Sequence, residues 1–328
     1  MPLLRYPESA RARDLFVLER REAFASPDPW RHQGLIIEDE RDENGEIARV
    51  ATVFLTGREC RWRCAMCDLW RHTLPADTPA GGIPAQLDQA LGELQHALGE
   101  RPKHVKLYNA SSFFDPAAVP DADYAGIGDR LAGFDRVIVE SHPALVGDRV
   151  ARFQDVLRGS LEVAMGLETA HPGALQSLNK RMTLDQFAGA AEALLGRGVS
   201  VRAFVLVFPP FVPRAEQDEW LVRSVDFAFA CGASVVSLIP TRPGNGTLEA
   251  LAAAGSFEAP SLTDVERSFS LALASAGGRV FADLWDLGPL AECAACLPAR
   301  KERLRLMNLQ QRAHPLLACA VCARPASG

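Results

Sequence analysis

Three cysteines in the segment "LTGRECRWRCAMCDLW" (55–70) are close enough in sequence to bind one inorganic group. Cys60, Cys64 and Cys67 follow one another at offsets of four and three residues. Two cysteines form a redox pair and four close a tetrahedral metal site, whereas three can hold three corners of a cubane iron–sulfur cluster and leave its fourth iron open. An incomplete zinc site or three buried thiols are the alternatives. Positively charged neighbours, expected to favour the thiolate form, are Arg58, Arg61, Arg63 and Arg71.

A second group of four cysteines lies near the end of the sequence. Two CxxC pairs, "CAAC" and "CAVC", are separated by 22 residues and consist of Cys293, Cys296, Cys319 and Cys322. Four thiolates at this spacing suit a tetrahedral zinc ion, with the intervening "KERLRLMNLQQR" segment as a helix. The same four suit an auxiliary iron–sulfur cluster. The pattern predicts a small module stabilised by metal, with zinc slightly favoured over iron–sulfur.

Composition limits the class of protein. The chain has 328 residues, a formal net charge of −6 and 48% hydrophobic residues. The sequence has no apolar run long enough to span a membrane and no apolar signal-peptide core, so a cytoplasmic protein is expected. Because the cytosol keeps thiols reduced, metal binding is a better explanation of the eight cysteines than disulfides. The acidic balance argues against a general nucleic-acid surface.

Short apolar runs alternate with helical patterns from residue 49 onward, which indicates βα units around a parallel sheet. The runs are nearly continuous in apolar residues, as expected of strands buried on both faces. The predicted strands are 49–57, 103–109, 136–141, 161–168, 201–208 and 234–240. We therefore predict an α/β fold with a partial (βα)6 TIM-type barrel. The predicted domains are an N-terminal extension (1–48), the barrel (49–287) and a C-terminal four-cysteine metal module (288–328).

Polar residues cluster directly after each predicted strand. In barrels of this type the chemistry occurs at the carboxyl ends of the strands. The segments that follow or complete the six strands are "TGREC", "NASSFFD", "ESHP", "GLETAHP", "FPPF" and "PTRPGNGT". Glu140 and Glu168 stand at the ends of otherwise apolar strands, so a functional site is predicted at this edge of the barrel.

The string "CRWRCAMC" (60–67), placed after the first barrel strand, resembles the CxxxCxxC motif of the radical S-adenosylmethionine (SAM) superfamily. The resemblance implies a 4Fe-4S cluster on Cys60, Cys64 and Cys67, with SAM on the open iron and a reductant such as flavodoxin or ferredoxin. It also implies cleavage of SAM to a 5′-deoxyadenosyl radical that abstracts hydrogen from a substrate. Met66 stands where the family has an apolar residue beside adenine.

The string "NASSFFD" (109–115) occupies the place of the family's Gly-Gly-Glu segment, although the glycine pair is missing. The resemblance therefore implies that Ser111, Ser112 and Asp115 contact the methionine part of SAM.

Three further residues are implied by the same resemblance. Glu140 and Glu168 fall where family members reach the ribose hydroxyls or the methionyl ammonium, and a carboxylate suits either task. The segment "SLIPTRPGNG", which contains Pro240, resembles the segment that flanks adenine.

Several loop strings resemble one branch of the superfamily more narrowly. That branch holds the radical subunit of archaeosine synthase and is related to the radical domain of Elongator. The strings include "KLYNASSFFDP", "EVAMGLETAHPGALQSLNKRMT" and "SLIPTRPGNGTLEAL". The resemblance implies a modified nucleoside in tRNA as substrate and a partner subunit. Local basic groups that would suit RNA include Arg61, Arg63, Arg71 and His72, and Arg300, Lys301, Arg303 and Arg305.

Two other functions are consistent with the sequence. One is a radical SAM enzyme that acts on a small metabolite or peptide. The other is a non-catalytic iron–sulfur or zinc protein that serves as an RNA-binding scaffold. Cofactor cleavage distinguishes the second from either enzyme.

Overall fold

The computed structural model describes residues 5–23, 26–99, 101–275 and 277–322. The predicted extension and metal module also include residues 1–4, 24–25 and 323–328, which lie outside the described residues. Within the described residues, one eight-stranded sheet has the strand order β1 to β8. Its strands are β1 (Gly34–Arg41), β2 (Ile47–Phe54), β3 (His104–Tyr108), β4 (Arg136–Ser141), β5 (Ser160–Glu168), β6 (Ser200–Val207), β7 (Val235–Pro240) and β8 (Arg279–Ala282).

The sheet is a curled half-barrel, and the predicted α/β barrel fold is confirmed. Strands β2 to β8 pair in parallel, whereas β1 pairs antiparallel with β2. The six predicted strands correspond to β2–β7. The prediction missed β1 because its second half, Glu38–Arg41, is charged and resembles a loop, and it missed β8 because that strand has only four residues.

Helices follow most strands and cover the outer face of the sheet. Local sequence accounts for their starts: Thr183 and Gln186 form a capping box on the helix that begins at Leu184, and Ser261 and Asp264 form one on the helix that begins at Leu262. The helices are α1 (Ala10–Leu18), α2 (Gly82–Leu98), α3 (Tyr124–Leu131), α4 (Asp148–Gln154), α5 (Pro172–Ser177), α6 (Leu184–Leu195), α7 (Gln217–Ala230), α8 (Thr247–Ala253), α9 (Leu262–Ala272) and α10 (Leu297–Gln310). None of these helices is long and apolar enough to span a membrane.

The hydrophobic core lies between the outer face of the sheet and the helices. Alternate strand residues such as Val53, Leu107 and Val163 belong to it, together with helix residues such as Leu87 and Phe187. Because successive strand residues point to opposite faces, the other residues of each strand face the lumen.

The lumen contains a group of charged side chains, here called the lumen ion network: Glu40, Lys106, Glu162 and Arg202, which are buried, and Glu38, which is exposed at its margin. Lys106 Nζ is 2.6 Å from Glu38 Oε1 and also pairs with Glu40. Arg202 bridges Glu162, at 2.6 Å, and Glu40, at 3.0 Å. The expectation that the strands are apolar on both faces is therefore wrong, because each charge is compensated across the lumen by a residue distant in sequence.

Helix α10 lies against β8 and β1. The carboxamide of Asn308 accepts from the N–H of Ala282 and donates to its carbonyl, at 2.8 and 2.9 Å. The carboxamide of Gln311 does the same to Val280 at 2.8 and 2.9 Å. The two carboxamides therefore form hydrogen bonds with backbone groups at the free edge of β8, where another strand would otherwise pair.

Candidate functional site

The three cysteines of the first motif lie on the loop that follows β2, here called the cysteine loop (residues 55–70). Segments that follow two other strands, β5 and β7, hold its backbone in place. The N–H of Ala65 donates to the carbonyl of Leu178 at 2.9 Å, and the amide of Asn179 donates to the carbonyl of Arg63 at 2.8 Å. The amide of Asn245, after β7, donates to the carbonyl of Ala65 at 2.8 Å.

Trp62, between the first two cysteines, stacks on His142 with ring centroids 3.6 Å apart and an interplanar angle of 9°. Nδ1 of His142 accepts from the N–H of Ala144, so Nε2 carries the proton that it donates to the carbonyl of Lys180, at 3.0 Å. Burial lowers the pKa of His142 to about 3. His142 is therefore a neutral support for the cysteine loop.

Lys180 reaches the cysteine loop from the segment after β5. Its ammonium pairs with Glu168 at 2.6 Å, and both side chains are buried. Burial opposes the charged form of Lys180, but Glu168 and the nearby sulfur of Cys64 raise its pKa. Nothing in the sequence around Lys180 indicates a role, because only the fold brings it to the cysteines.

Burial raises the pKa of the thiols of Cys60, Cys64 and Cys67, to about 12 for Cys67. Lys180 acts in the opposite direction on Cys60 and Cys64 but does not overcome burial. Arg63 lowers the pKa of Cys60, in the direction expected of a positive neighbour, but burial outweighs this effect in the free thiol. Metal binding at this loop has to displace protons.

Gly166 provides the space for the Lys180–Glu168 pair. A methyl group at this position would overlap with Glu168 Oε1 and Lys180 Nζ. We therefore expect Gly166→Ala to lower the free energy of unfolding by about 1–3 kcal/mol, the usual cost of overpacking. Urea denaturation measures this change. Gly189→Ala, on an exposed helical position with open space around it, is the matched control and is expected to be neutral or slightly stabilising. Equal stability of the two variants would contradict the prediction.

The segment after β3 holds the three residues predicted to contact methionine, and two of them have protein partners. Ser112 Oγ accepts from the N–H of His142 at 2.9 Å. Asp115 accepts two hydrogen bonds from Arg61, at 2.8 and 3.0 Å. Ser111 Oγ, and both polar side-chain atoms of the fully buried Asn109, have no partner among the described residues. Asn109 is thus a candidate ligand that the sequence analysis did not include.

Glu140 lies at the end of β4 and accepts a hydrogen bond from the N–H of Asn109 at 2.7 Å. Burial raises its pKa to about 7, and the hydrogen bonds from Asn109 and Ala110 only partly oppose this. The position is therefore suited to a carboxyl group that ionises near neutral pH.

A stability measurement tests the raised pKa of Glu140. The folded-state pKa of Glu140 lies above the ordinary value of 4.5. The protonated carboxyl therefore contributes its full stabilisation to the fold below pH 4.5, and this stabilisation is lost as the pH rises through about 7. The loss is about 2–3 kcal/mol. Glu140→Gln should remove it between pH 5 and 8 in urea denaturation of the apoprotein, whereas Glu8→Gln, at an exposed position, should not. An unchanged pH slope in Glu140→Gln would contradict the prediction.

Backbone strain is concentrated at the carboxyl edge of the sheet. Ala110, Glu168 and Phe208 follow or end three different strands and have φ values of 53°, 67° and 59°. Non-glycine residues adopt such values only where the surroundings enforce them, and they cluster at functional sites.

The two predicted adenine neighbours lie at the same edge. Met66 packs against a small apolar cluster that includes Leu248 and Phe257. Pro240 is buried at the end of β7 and is followed by Thr241, whose buried hydroxyl has no partner among the described residues.

The N-terminal segment also reaches the cysteine loop. The hydroxyl of Tyr6 donates to the carbonyl of Ser177 at 2.8 Å, and its ring packs on Phe211 and Phe16. Arg21 pairs with Glu59 on the loop at 2.7 Å. This segment was predicted only as an extension because its contacts are all long-range.

The four C-terminal cysteines converge, as predicted. The Sγ atoms of Cys293, Cys296, Cys319 and Cys322 all lie within 4.8 Å of one another. A hydrogen bond from the backbone of Cys322 lowers the pKa of Cys319 to about 7. The four-cysteine group therefore suits one metal ion.

The module is fixed to the barrel by buried ion pairs. Arg300 pairs with Glu266 of α9 at 2.9 Å and with Glu292 at 2.7 Å. Arg303 also pairs with Glu266, at 3.3 Å, and bonds to the carbonyl of Pro315 at 2.8 Å. These two arginines are buried, so the basic run on α10 is not a continuous surface for RNA.

The residues at the carboxyl edge of the sheet fit the 4Fe-4S cluster and the SAM molecule that the sequence resemblance implies. Three thiols on one anchored loop suit an iron–sulfur cluster with an open iron. Partnerless buried polar atoms on Asn109, Ser111 and Thr241 need a ligand or water to satisfy them. The donor set thus combines soft sulfur ligands with polar groups for an organic cofactor.

The fold is similar to that of a solved structure. The structure of archaeal Elp3 from Methanocaldococcus infernus, with an N-terminal deletion, matches with a TM-score of 0.52 and 12% identity, over 70% of this chain and 62% of that chain. At this identity the match concerns the fold alone.

Two proteins related in sequence share a more specific name. The archaeosine synthase subunit beta of Methanosarcina acetivorans is 28% identical over 237 residues, 68% of this chain and 66% of the relative. That of Thermococcus kodakarensis is 31% identical over 168 residues, 49% of this chain and 51% of the relative. This chain thus spans between half and two thirds of these relatives. No family model matches. The predicted resemblance to radical SAM enzymes, and to the archaeosine synthase branch, is confirmed.

Proposed function

We propose that this chain is a radical SAM enzyme. Cys60, Cys64 and Cys67 would bind three irons of a 4Fe-4S cluster, and SAM would bind the fourth. When bound, this pair supplies a 5′-deoxyadenosyl radical that takes a hydrogen atom from substrate. The observation that carries the proposal is the anchored three-cysteine loop at the carboxyl edge of a half-barrel, in a chain related to archaeosine synthase subunit beta.

The remaining residues at this edge have proposed roles in holding SAM. Glu140 and Glu168 offer carboxylates, and Ser111 and Asn109 offer unsatisfied polar atoms. Met66 and Pro240 would flank adenine. For Ser112 and Asp115, which already have protein partners, we propose the indirect role of fixing the shape of the pocket.

For the C-terminal cysteines we propose one zinc ion. A tetrahedral site with Zn–S bonds of about 2.3 Å has sulfurs about 3.8 Å apart, which the observed limit of 4.8 Å accommodates. In a cubane cluster each thiolate binds a different iron, which requires wider spacing. We further propose that residues 288–328 form this metal module, with 49–287 as the barrel and 1–48 as an extension.

We propose a modified nucleoside in tRNA as the substrate and a partner subunit, because both relatives are named as subunits of archaeosine synthase. Electrons would come from a small donor such as flavodoxin or ferredoxin. Two basic groups on and near the cysteine loop are exposed and could contact RNA phosphates: His72, and Arg61 through the part of its guanidinium that is not paired with Asp115.

The test is formation of 5′-deoxyadenosine by anaerobically reconstituted protein with SAM and dithionite, with and without unfractionated tRNA. We expect formation by the wild type and by Cys231→Ala, since Cys231 lies at the end of α7 away from both cysteine groups. We expect none from Cys64→Ala. Absence of product from wild-type protein with a complete cluster, in the presence of tRNA, would refute the proposed activity.

A further inference from the structure

Three aromatic side chains line the lumen one layer above the lumen ion network. Phe54 on β2, Tyr108 on β3 and Phe204 on β6 each lie two residues after a lumen-facing polar residue of their strand, namely Thr52, Lys106 and Arg202. We call these three residues the aromatic layer. Tyr108 contacts Phe204 edge to face with ring centroids 5.9 Å apart, and Phe54 pairs with Tyr108 in the sheet register.

The aromatic layer is accessible, unlike the residues around it. Phe54, Tyr108 and Phe204 are partly exposed, whereas their outward-facing neighbours, such as Val53 and Leu107, are almost completely buried. Partly exposed aromatic rings on the inner face of a half-barrel form the wall of a chamber rather than a packed core.

The floor of this chamber has compensated charges. Lys106 is paired with Glu38 and Glu40, and Arg202 is paired with Glu40 and Glu162. A phosphate or carboxylate group would find no unpaired cation among these residues. The chamber is therefore suited to a flat, neutral ring that stacks on aromatic faces.

Trp285, in the loop after β8, stands beside this chamber. It is 62% exposed, and its ring centroid is 6.2 Å from that of Phe54. The loop is nevertheless held firmly, because the N–H of Trp285 donates to Asp283 Oδ1 at 2.9 Å and Asp283 pairs with Arg242 at 3.0 Å. An exposed indole on an anchored loop can stack on a base with little loss of conformational entropy on binding.

We propose that the aromatic layer and Trp285 together bind the substrate base of an RNA, a planar nitrogen heterocycle. The base would lie against the exposed faces of Phe54, Tyr108 and Phe204, and Trp285 would stack on it or on the neighbouring base at the mouth. This inference rests on the proposed RNA substrate and adds the residues that recognise it. Aromatic side chains stack on unpaired bases in the same way in other RNA-binding sites.

The test is equilibrium binding of unfractionated tRNA to reconstituted protein at several salt concentrations. We expect Trp285→Ala to weaken binding about tenfold, the size of one base–aromatic stack, with an unchanged dependence on salt because no phosphate contact is lost. Trp30→Ala, at a tryptophan 49% exposed and outside the chamber, should bind as the wild type does. Phe204→Leu, which keeps an apolar volume but removes the aromatic face, should also weaken binding.

The outcomes separate the two proposals. Wild-type affinity in both Trp285→Ala and Phe204→Leu would overturn the aromatic chamber and leave the RNA substrate in place. Absence of tRNA binding by the wild type, with normal 5′-deoxyadenosine formation, would overturn both the RNA substrate and the chamber, but not the radical chemistry. A weaker salt dependence in Trp285→Ala would show a phosphate contact instead of a stack and would also overturn the inference.

Discussion

Replacement of Arg202 by methionine is expected to lower the free energy of unfolding by about 3–5 kcal/mol, the cost of removing one partner from a buried ion pair. Arg202 is 2% exposed and bridges Glu162, which is fully buried, and Glu40. Although burial alone would raise the pKa of Glu40, Arg202 and Lys106 hold it below the ordinary value. Without Arg202, the lumen contains buried carboxylates with too little positive charge.

Chemical denaturation at two pH values tests this expectation. At pH 5 the loss should be smaller than at pH 8, because a carboxyl group that has lost its cation is protonated more easily. Arg223→Met removes an exposed pair with Glu219 on α7 and is the control, with an expected change of about 0.5 kcal/mol or less. If Arg202→Met is as stable as this control, the lumen ion network does not contribute to stability.

Replacement of Cys296 by serine is expected to release the C-terminal metal and to loosen α10 from the barrel. Cys296 is the most buried ligand of the four, and α10 begins at the next residue. Structural zinc contributes about 10 kcal/mol or more to the folding of small zinc modules, so its loss should exceed the stabilisation from the ion pairs of Arg300.

The measurements are metal content and limited proteolysis. Wild-type protein should contain one zinc per chain in addition to the iron of the first cluster, and Cys296→Ser should lack the zinc and be cleaved within 297–322. Cys231→Ser is the matched control and should keep both. Iron in place of zinc at the C-terminal site would refute the zinc proposal. Full metal content in Cys296→Ser would refute the predicted ligand set.

Local patterns in the sequence were sufficient to predict much of the fold. The six central strands and their order follow from alternating apolar and helical segments, and the two cysteine groups follow from spacing alone. Strand β1 was missed because its charged residues, Glu38 and Glu40, face a lumen whose cations come from β3 and β6. A single segment cannot reveal that its charges are compensated elsewhere.

The residues of the candidate site could also be predicted only in part. The cysteine loop and the carboxyl groups of Glu140 and Glu168 could be predicted, because their residue types are unusual for the ends of apolar strands. Lys180 and Asn109 could not be predicted. Lys180 is distinguished only by its proximity to Glu168 and Cys64, and Asn109 only by the absence of partners for its buried amide among the described residues. Both properties depend on tertiary packing.

The edge of β8 has a consequence for solubility. Its backbone groups are satisfied by two side chains, Asn308 of α10 and Gln311 directly after it, and not by a further strand. A strand edge that is uncovered pairs readily with strands of other molecules. If release of the metal allows α10 to move away, the exposed edge becomes a template for intermolecular β-pairing. Loss of the C-terminal metal is therefore expected to favour aggregation of this protein.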